Sequence, residues 1–164
     1  MRHLALTLAV VAGGCGYTSV TENVGGIDSI YISTLANRTF EHELGVSTTD
    51  AIIRECIYDG QIEVSQRDEA DAVLTGEVSE YILDPVTYGT VDADVRQYRV
   101  RIDAKFTLVE ARTGRRLWLD KVFSGDETYF VSGRLARPEE AARDGAVADL
   151  AKRVVLSLNG TWQP

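Results

Sequence analysis

Apolar and polar residues alternate most clearly from Val95 to Glu110. Tyr98, Val100, Ile102, Ala104, Phe106 and Leu108 fall on one side, and Arg99, Arg101, Asp103, Lys105 and Thr107 on the other. A period of two predicts a strand with one buried and one polar face. Ala111-Arg112-Thr113-Gly114 reads as a tight turn, and Arg115 to Ser124 returns as the hairpin partner. Ala72 to Leu83 is a second long strand, with Leu74, Gly76, Val78 and Ile82 on one face and Pro85 ending regular pairing. Shorter strands are expected at Ile27–Thr34 and Gln61–Ser65, with Tyr129-Phe130-Val131 as a further candidate, and residues 88–94 read as a loop or hairpin tip. Two segments carry helical spacing instead. Leu44, Thr48, Ala51, Ile52 and Glu55 mark a helix over about Glu41–Tyr58, stopped by Gly60. Pro138 opens a longer one, where its missing N–H costs little, and Glu139 and Glu140 suit the positive helix end. Its apolar stripe is Val147, Leu150, Ala151, Val154 and Leu158, and Gly160 stops it. This order predicts an α+β, two-layer sandwich: a mixed or antiparallel sheet of about four strands with two helices on one face.

The N-terminus follows neither period. Arg2 precedes an apolar run from Leu4 to Ala12, and small residues lead to Cys15. A positive start, an apolar centre and small residues before a cut describe an export signal. The run is too short for a bilayer span of about 20 residues. Gly14-Cys15 resembles the lipobox of bacterial lipoproteins, although Ala12 stands where Leu is usual. That resemblance implies cleavage before Cys15, with S-diacylglycerol and N-acyl lipid on Cys15. Gly16 in place of Asp directs the expectation to the periplasmic face of the outer membrane. Residues 1–14 are then the signal, 15–26 a lipidated tether, and 27–164 one domain.

Bulk properties narrow the function class. The chain has 164 residues, 45% apolar and 26% charged, which suits one globular core after the leader. The net charge of −8 argues against general nucleic-acid binding, which needs a basic surface. With Cys15 acylated, Cys56 has no disulfide partner, and its place among Ile52, Ile53 and Ile57 reads as a small buried hydrophobe.

Catalytic chemistry has little to work with. The sequence carries no phosphate-binding loop, dinucleotide-binding glycine fingerprint, nucleophile elbow or zinc-protease motif. Beyond the leader His42 is the single histidine, so neither a histidine metal site nor a His-based triad is expected. No catalytic residue, metal or cofactor is assigned; the covalent lipid on Cys15 is the expected non-protein group. Six cations attract attention instead: Arg99, Arg101 and Lys105 on the polar face of the strongest strand, and Arg115, Arg116 and Lys121 on its partner. Opposed residues on antiparallel strands have Cβ atoms about 4.5–5.5 Å apart. Two readings stand: a basic patch for phosphate groups, or a solvated face with cross-strand pairs to Asp103 and Asp120.

In order and spacing, the chain resembles the lipopolysaccharide-assembly lipoprotein family LptE. The matching pieces are Gly14-Cys15-Gly16-Tyr17; Leu35-Ala36-Asn37-Arg38-Thr39-Phe40-Glu41; Glu43-Leu44 and Tyr58-Asp59-Gly60; and Ala70 to Val78 with Tyr81 and Pro85. Arg99-Val100-Arg101-Ile102, Thr113-Gly114 with Leu117-Trp118, Phe123, Tyr129 and a closing alanine-rich helix before Trp162 follow. The resemblance implies a non-enzymatic plug and folding aid within an LptD-like outer-membrane β-barrel, serving delivery of lipopolysaccharide to the surface. The same cations would then meet the barrel or lipopolysaccharide. The alternative is another periplasmic adaptor or secretion-associated lipoprotein of similar small α+β fold.

Overall fold

A computed structural model describes residues 26–88 and 95–160. Its elements are β1 (Ser29–Ile32), β2 (Ala36–Asn37), α1 (Leu44–Asp59), β3 (Glu63–Val64), β4 (Ala72–Tyr88), β5 (Val95–Glu110), β6 (Arg116–Phe130) and α2 (Glu139–Leu158). The α+β expectation holds, with six strands where about four were expected. The sheet runs β3-β1-β4-β5-β6, and β2 also lies on β4. β1 is parallel to β3 and β4, β2 is parallel to β4, and β4-β5-β6 is an antiparallel meander. β3 falls inside the short strand expected at Gln61–Ser65, whereas β2, a two-residue ladder, is too short for any period to register.

The buried face of β5 matches its alternation: Val100, Ile102, Ala104, Phe106 and Leu108 are fully enclosed. Helix α2 covers this face with Ala146, Val147, Leu150, Ala151 and Val154, and α1 adds Leu44, Ile52 and Cys56. Phe123 lies 5.7 Å from Phe106 and 5.5 Å from Trp118, centroid to centroid. Burial of each such side chain contributes about 1.5–3 kcal/mol. β6 passes so close to α2 that a methyl on Gly125 would lie 2.2 Å from the Ala146 carbonyl oxygen.

Helix α1 starts at Leu44, not near Glu41, because the preceding residues form a tight structure of their own. Asn37 Oδ1 accepts from the Thr39 N–H at 3.0 Å, and Asn37 Nδ2 donates to the Glu41 carbonyl at 2.6 Å. Glu43 then adopts φ 58°, a left-handed conformation costly for a non-glycine residue. At the far end Gly60 takes φ 70° and its N–H closes onto the Cys56 carbonyl, the left-handed helix stop that glycine favours.

Two long strands change phase along their length. β4 slips register at Ser79: Val78 lies opposite Ala104, but Glu80 lies opposite Asp103. One extra residue flips every later side chain to the other face. Tyr81 therefore takes the helix side opposite Ile102, and Ile82, expected on the buried face, falls opposite Arg101. β4 also continues past Pro85 to Tyr88, with register breaking between Pro85 and Thr87. In β6 the slip falls between Trp118 and Lys121, where Asp120 has φ 49°. The segment 115–124 and the candidate strand at Tyr129 are thus one strand, ending at Phe130.

Candidate functional site

Both helices lie on one side of the sheet, so the other face of β4-β5-β6 has no covering layer among the described residues. On that face Arg99, Arg101 and Lys105 are exposed, as the alternation predicted. They do not form a wholly basic field. In register on β4, Asp84 lies opposite Arg99 and Glu77 opposite Lys105. Arg101 Nε pairs with Asp103 Oδ1 at 3.5 Å, along the same strand and not across it. No ion pair joins Arg99, Lys105 or Arg116 to a carboxylate among the described residues.

The second trio separates. Arg115 sits at the β5–β6 turn, where Nε meets Glu110 Oε2 at 3.2 Å. The Thr113 hydroxyl donates to the same carboxylate and is the main cause holding Glu110 below its ordinary pKa. Arg116 lies opposite Val109, ten residues along β5 from Arg99, a separation of about 33 Å at strand rise. Lys121 leaves the patch altogether. The irregularity at Asp120 turns it to the helix side opposite Phe106, and Nζ donates to Ser157 Oγ on α2 at 2.9 Å. There it sits 4.9 Å from the Trp118 ring centroid, and burial pushes its pKa down. The proposed six-cation cluster is therefore three residues in mid-sheet, two at the hairpin turn and one beneath the sheet.

Other polar constellations hold the fold. Asp71 Oδ2 accepts from Ser29 Oγ at 2.8 Å and from the Ser29 N–H at 3.0 Å, tying β1 to the start of β4. The Ser29 hydroxyl bond is the main cause that lowers the Asp71 pKa. The Tyr81 hydroxyl donates to Glu139 Oε1 at 2.7 Å, and burial first, then that carboxylate, pushes its pKa up. Asp126 and Asp149 share Arg153. Among the described residues no group of three His, Cys, Asp or Glu side chains could hold a metal. The Cys56 thiol is buried and its pKa is pushed up to about 12, chiefly by desolvation, so it is no nucleophile at neutral pH. Cys15 and the tether lie outside the described residues.

One feature escaped the pattern reading. Arg38, Phe40 and Glu41 face Ser79–Ile82 across a cleft of about 370 Å³, and Phe40 is fully exposed. The signal was present in Ser79-Glu80, two polar residues in succession where alternation requires one.

A family model described as lipopolysaccharide-assembly matches residues 27–158, the span of the folded layers. The chain belongs to the LptE family. The described LptE domain also has the fold of several solved proteins. A hypothetical protein, CT253, from Chlamydia trachomatis is 9% identical, with 81% of this chain and 96% of that chain covered at TM-score 0.57. The rare lipoprotein B from Shewanella oneidensis is 14% identical, with 81% and 95% covered at TM-score 0.53. A putative lipoprotein from Caulobacter crescentus is 14% identical, with 80% and 88% covered at TM-score 0.51. At these identities the likeness is one of fold. Among curated proteins none matches the chain. LptE membership gives lipopolysaccharide assembly as the function class.

Proposed function

We propose that the chain is a non-catalytic outer-membrane lipoprotein that partners an LptD-like β-barrel and assists delivery of lipopolysaccharide to the outer surface. The observation that carries this reading is the LptE match over residues 27–158. The N-terminal pattern ending in Gly14-Cys15 supplies the anchor: S-diacylglycerol and N-acyl lipid on Cys15. One acyl chain holds a protein at a membrane only marginally, whereas the three chains of this anchor hold it stably.

The uncovered face of β4-β5-β6 is the surface offered to the partner. Its alternating cations and carboxylates favour a polar protein wall or a phosphate-bearing headgroup over the interior of a lipid layer. Arg99, Arg101 and Lys105 are the contacts proposed, with Arg115 and Arg116 reserved for a partner that reaches the hairpin turn. Lys121 is withdrawn from the set, because its ammonium group is held against Ser157.

Affinity purification of the tagged, lipidated chain from solubilised outer membrane tests the reading. The expected product contains a large β-barrel in fixed ratio to the chain. Recovery as a free monomer under conditions that preserve other outer-membrane complexes refutes it.

A further inference from the structure

The cleft beside Phe40 marks the place where the sheet stops being covered on its β1 side. β1 pairs with Ala72–Leu74, and β2 pairs with Glu77 and Val78. The Arg38 N–H then bonds to the Val78 carbonyl at 2.9 Å, and the chain turns away into the Asn37–Glu43 loop. Beyond Val78, β4 continues for ten residues to Tyr88, paired with β5 alone among the described residues. An unpaired strand edge is a template for another strand. Pro85 interrupts it, leaving Ser79–Asp84, six residues or about 20 Å of strand.

The other long edge is protected differently. Along β6 the Asp126 N–H is taken by Asp149 Oδ2 at 3.1 Å, and the Phe130 carbonyl by the Arg137 N–H at 2.9 Å. The left-handed residue at Asp120 breaks what remains. β3 is two residues long. Of the three, the β4 edge is the one with no backbone partner over Ser79–Asp84 among the described residues, and past the slip at Ser79 it runs from Glu80 to Asp84 without a bulge.

We propose that the β4 edge over Ser79–Asp84 is a strand-addition site for an extended protein segment in which apolar and basic residues alternate. The apolar positions meet Phe40 and Leu83, both exposed beside this edge. Phe40 is held out by a loop pinned through Asn37, so docking on it costs little ordering entropy. The basic positions meet Glu80 and Asp84, which are exposed and have no cation within 4 Å among the described residues. Arg38 does not offset them, because Glu77 holds it at 3.0 Å. The same carboxylates disfavour two alternatives. A second copy of this chain would set like charges against each other, and an anionic membrane surface would be repelled. Main-chain bonds supply the affinity of such an addition, and alternate side chains its specificity. The site does not depend on the partner being an LptD-like barrel.

The test uses the full-length lipidated protein in detergent and an acetylated seven-residue peptide alternating Lys and Val. Amide hydrogen exchange is measured with and without peptide, beside a fully N-methylated copy and a Glu-for-Lys copy. The expected result is about tenfold or greater slowing of exchange confined to Ser79–Asp84, absent with either control peptide. A Glu80→Lys, Asp84→Lys double variant, altered at two exposed positions, should weaken the Lys peptide about tenfold and admit the Glu peptide. Equal binding of the N-methylated peptide, slowing on β6 or on the open face instead, pairing of two chains through this edge, or no slowing at saturating peptide would each overturn the proposal.

Discussion

Replacing Gly125 with alanine should destabilise the domain, because β6 and α2 meet there backbone to backbone. The added Cβ would fall 2.2 Å from the Ala146 carbonyl oxygen, 2.4 Å from the Leu150 nitrogen and 2.6 Å from Leu150 Cβ. Relief needs α2 to back away by about 1 Å, and no rotamer change suffices, since two of the three atoms are backbone. Backing away loosens a face that buries Ala146, Val147, Leu150 and Ala151. Overpacking of this kind costs about 1–3 kcal/mol. The opposing effect, loss of unfolded-chain freedom on replacing glycine, returns about 0.4–1 kcal/mol at an unstrained site. At mid-range values, about 2 less about 0.7, the net expectation is a loss of about 1.3 kcal/mol, or roughly 4–6 °C in Tm for a domain of this size. Urea unfolding followed by tryptophan fluorescence reads it directly, and Gly145→Ala provides the contrast. There the nearest atom is the Glu127 side chain at 2.9 Å, which is flexible, and alanine favours the helix. Gly145→Ala should be neutral or stabilising by up to about 1 kcal/mol. A Gly125→Ala domain as stable as the parent would refute the packing argument.

Other outcomes follow from single groups. Folded-state pKa values of Asp71 and Glu110 lie below their ordinary 3.8 and 4.5. Their contribution is therefore full above those values and lost as pH falls through the lowered folded ones; Asp71→Asn should flatten the acid limb of a stability–pH curve measured by urea midpoints. Cys56 should resist maleimide in the native protein near neutral pH and react promptly in guanidinium chloride; fast native labelling would contradict its burial. Replacing Arg99, Arg101 and Lys105 together by Gln should weaken partner retention in pull-downs while changing stability by less than about 0.5 kcal/mol per site. Cys15→Ala should yield a product without acyl label, detected by metabolic labelling with palmitate; normal labelling would refute the anchor.

The long alternating strands and the two apolar helix stripes were legible because each buries one face against one neighbour. Val100 to Leu108, and Val147 to Leu158, are enclosed where their periods placed them. Reading failed where a single residue shifted the phase. Ile82 was assigned to the buried face, but the irregularity at Ser79 gave that side to Tyr81. Lys121 was grouped with surface cations, but the irregularity at Asp120 turned it under the sheet. Both slips left traces: two successive polar residues at Ser79-Glu80, and an odd spacing between Trp118 and Phe123, both buried. Side chains on one face of an uninterrupted strand must be an even number apart. The two-residue ladder β2 had no such trace, since its pairing depends on the path of β4. The β4 edge was equally hidden, because an edge is defined by which strands are neighbours, not by the strand's own residues.

The central claim, that the chain serves lipopolysaccharide assembly at the outer membrane, is tested most directly by depleting it from its native cell. Surface lipopolysaccharide is then quantified against the pool retained inside. The account predicts a fall at the surface with accumulation behind it, reversed by the parent chain. Unchanged surface lipopolysaccharide after full depletion would contradict it.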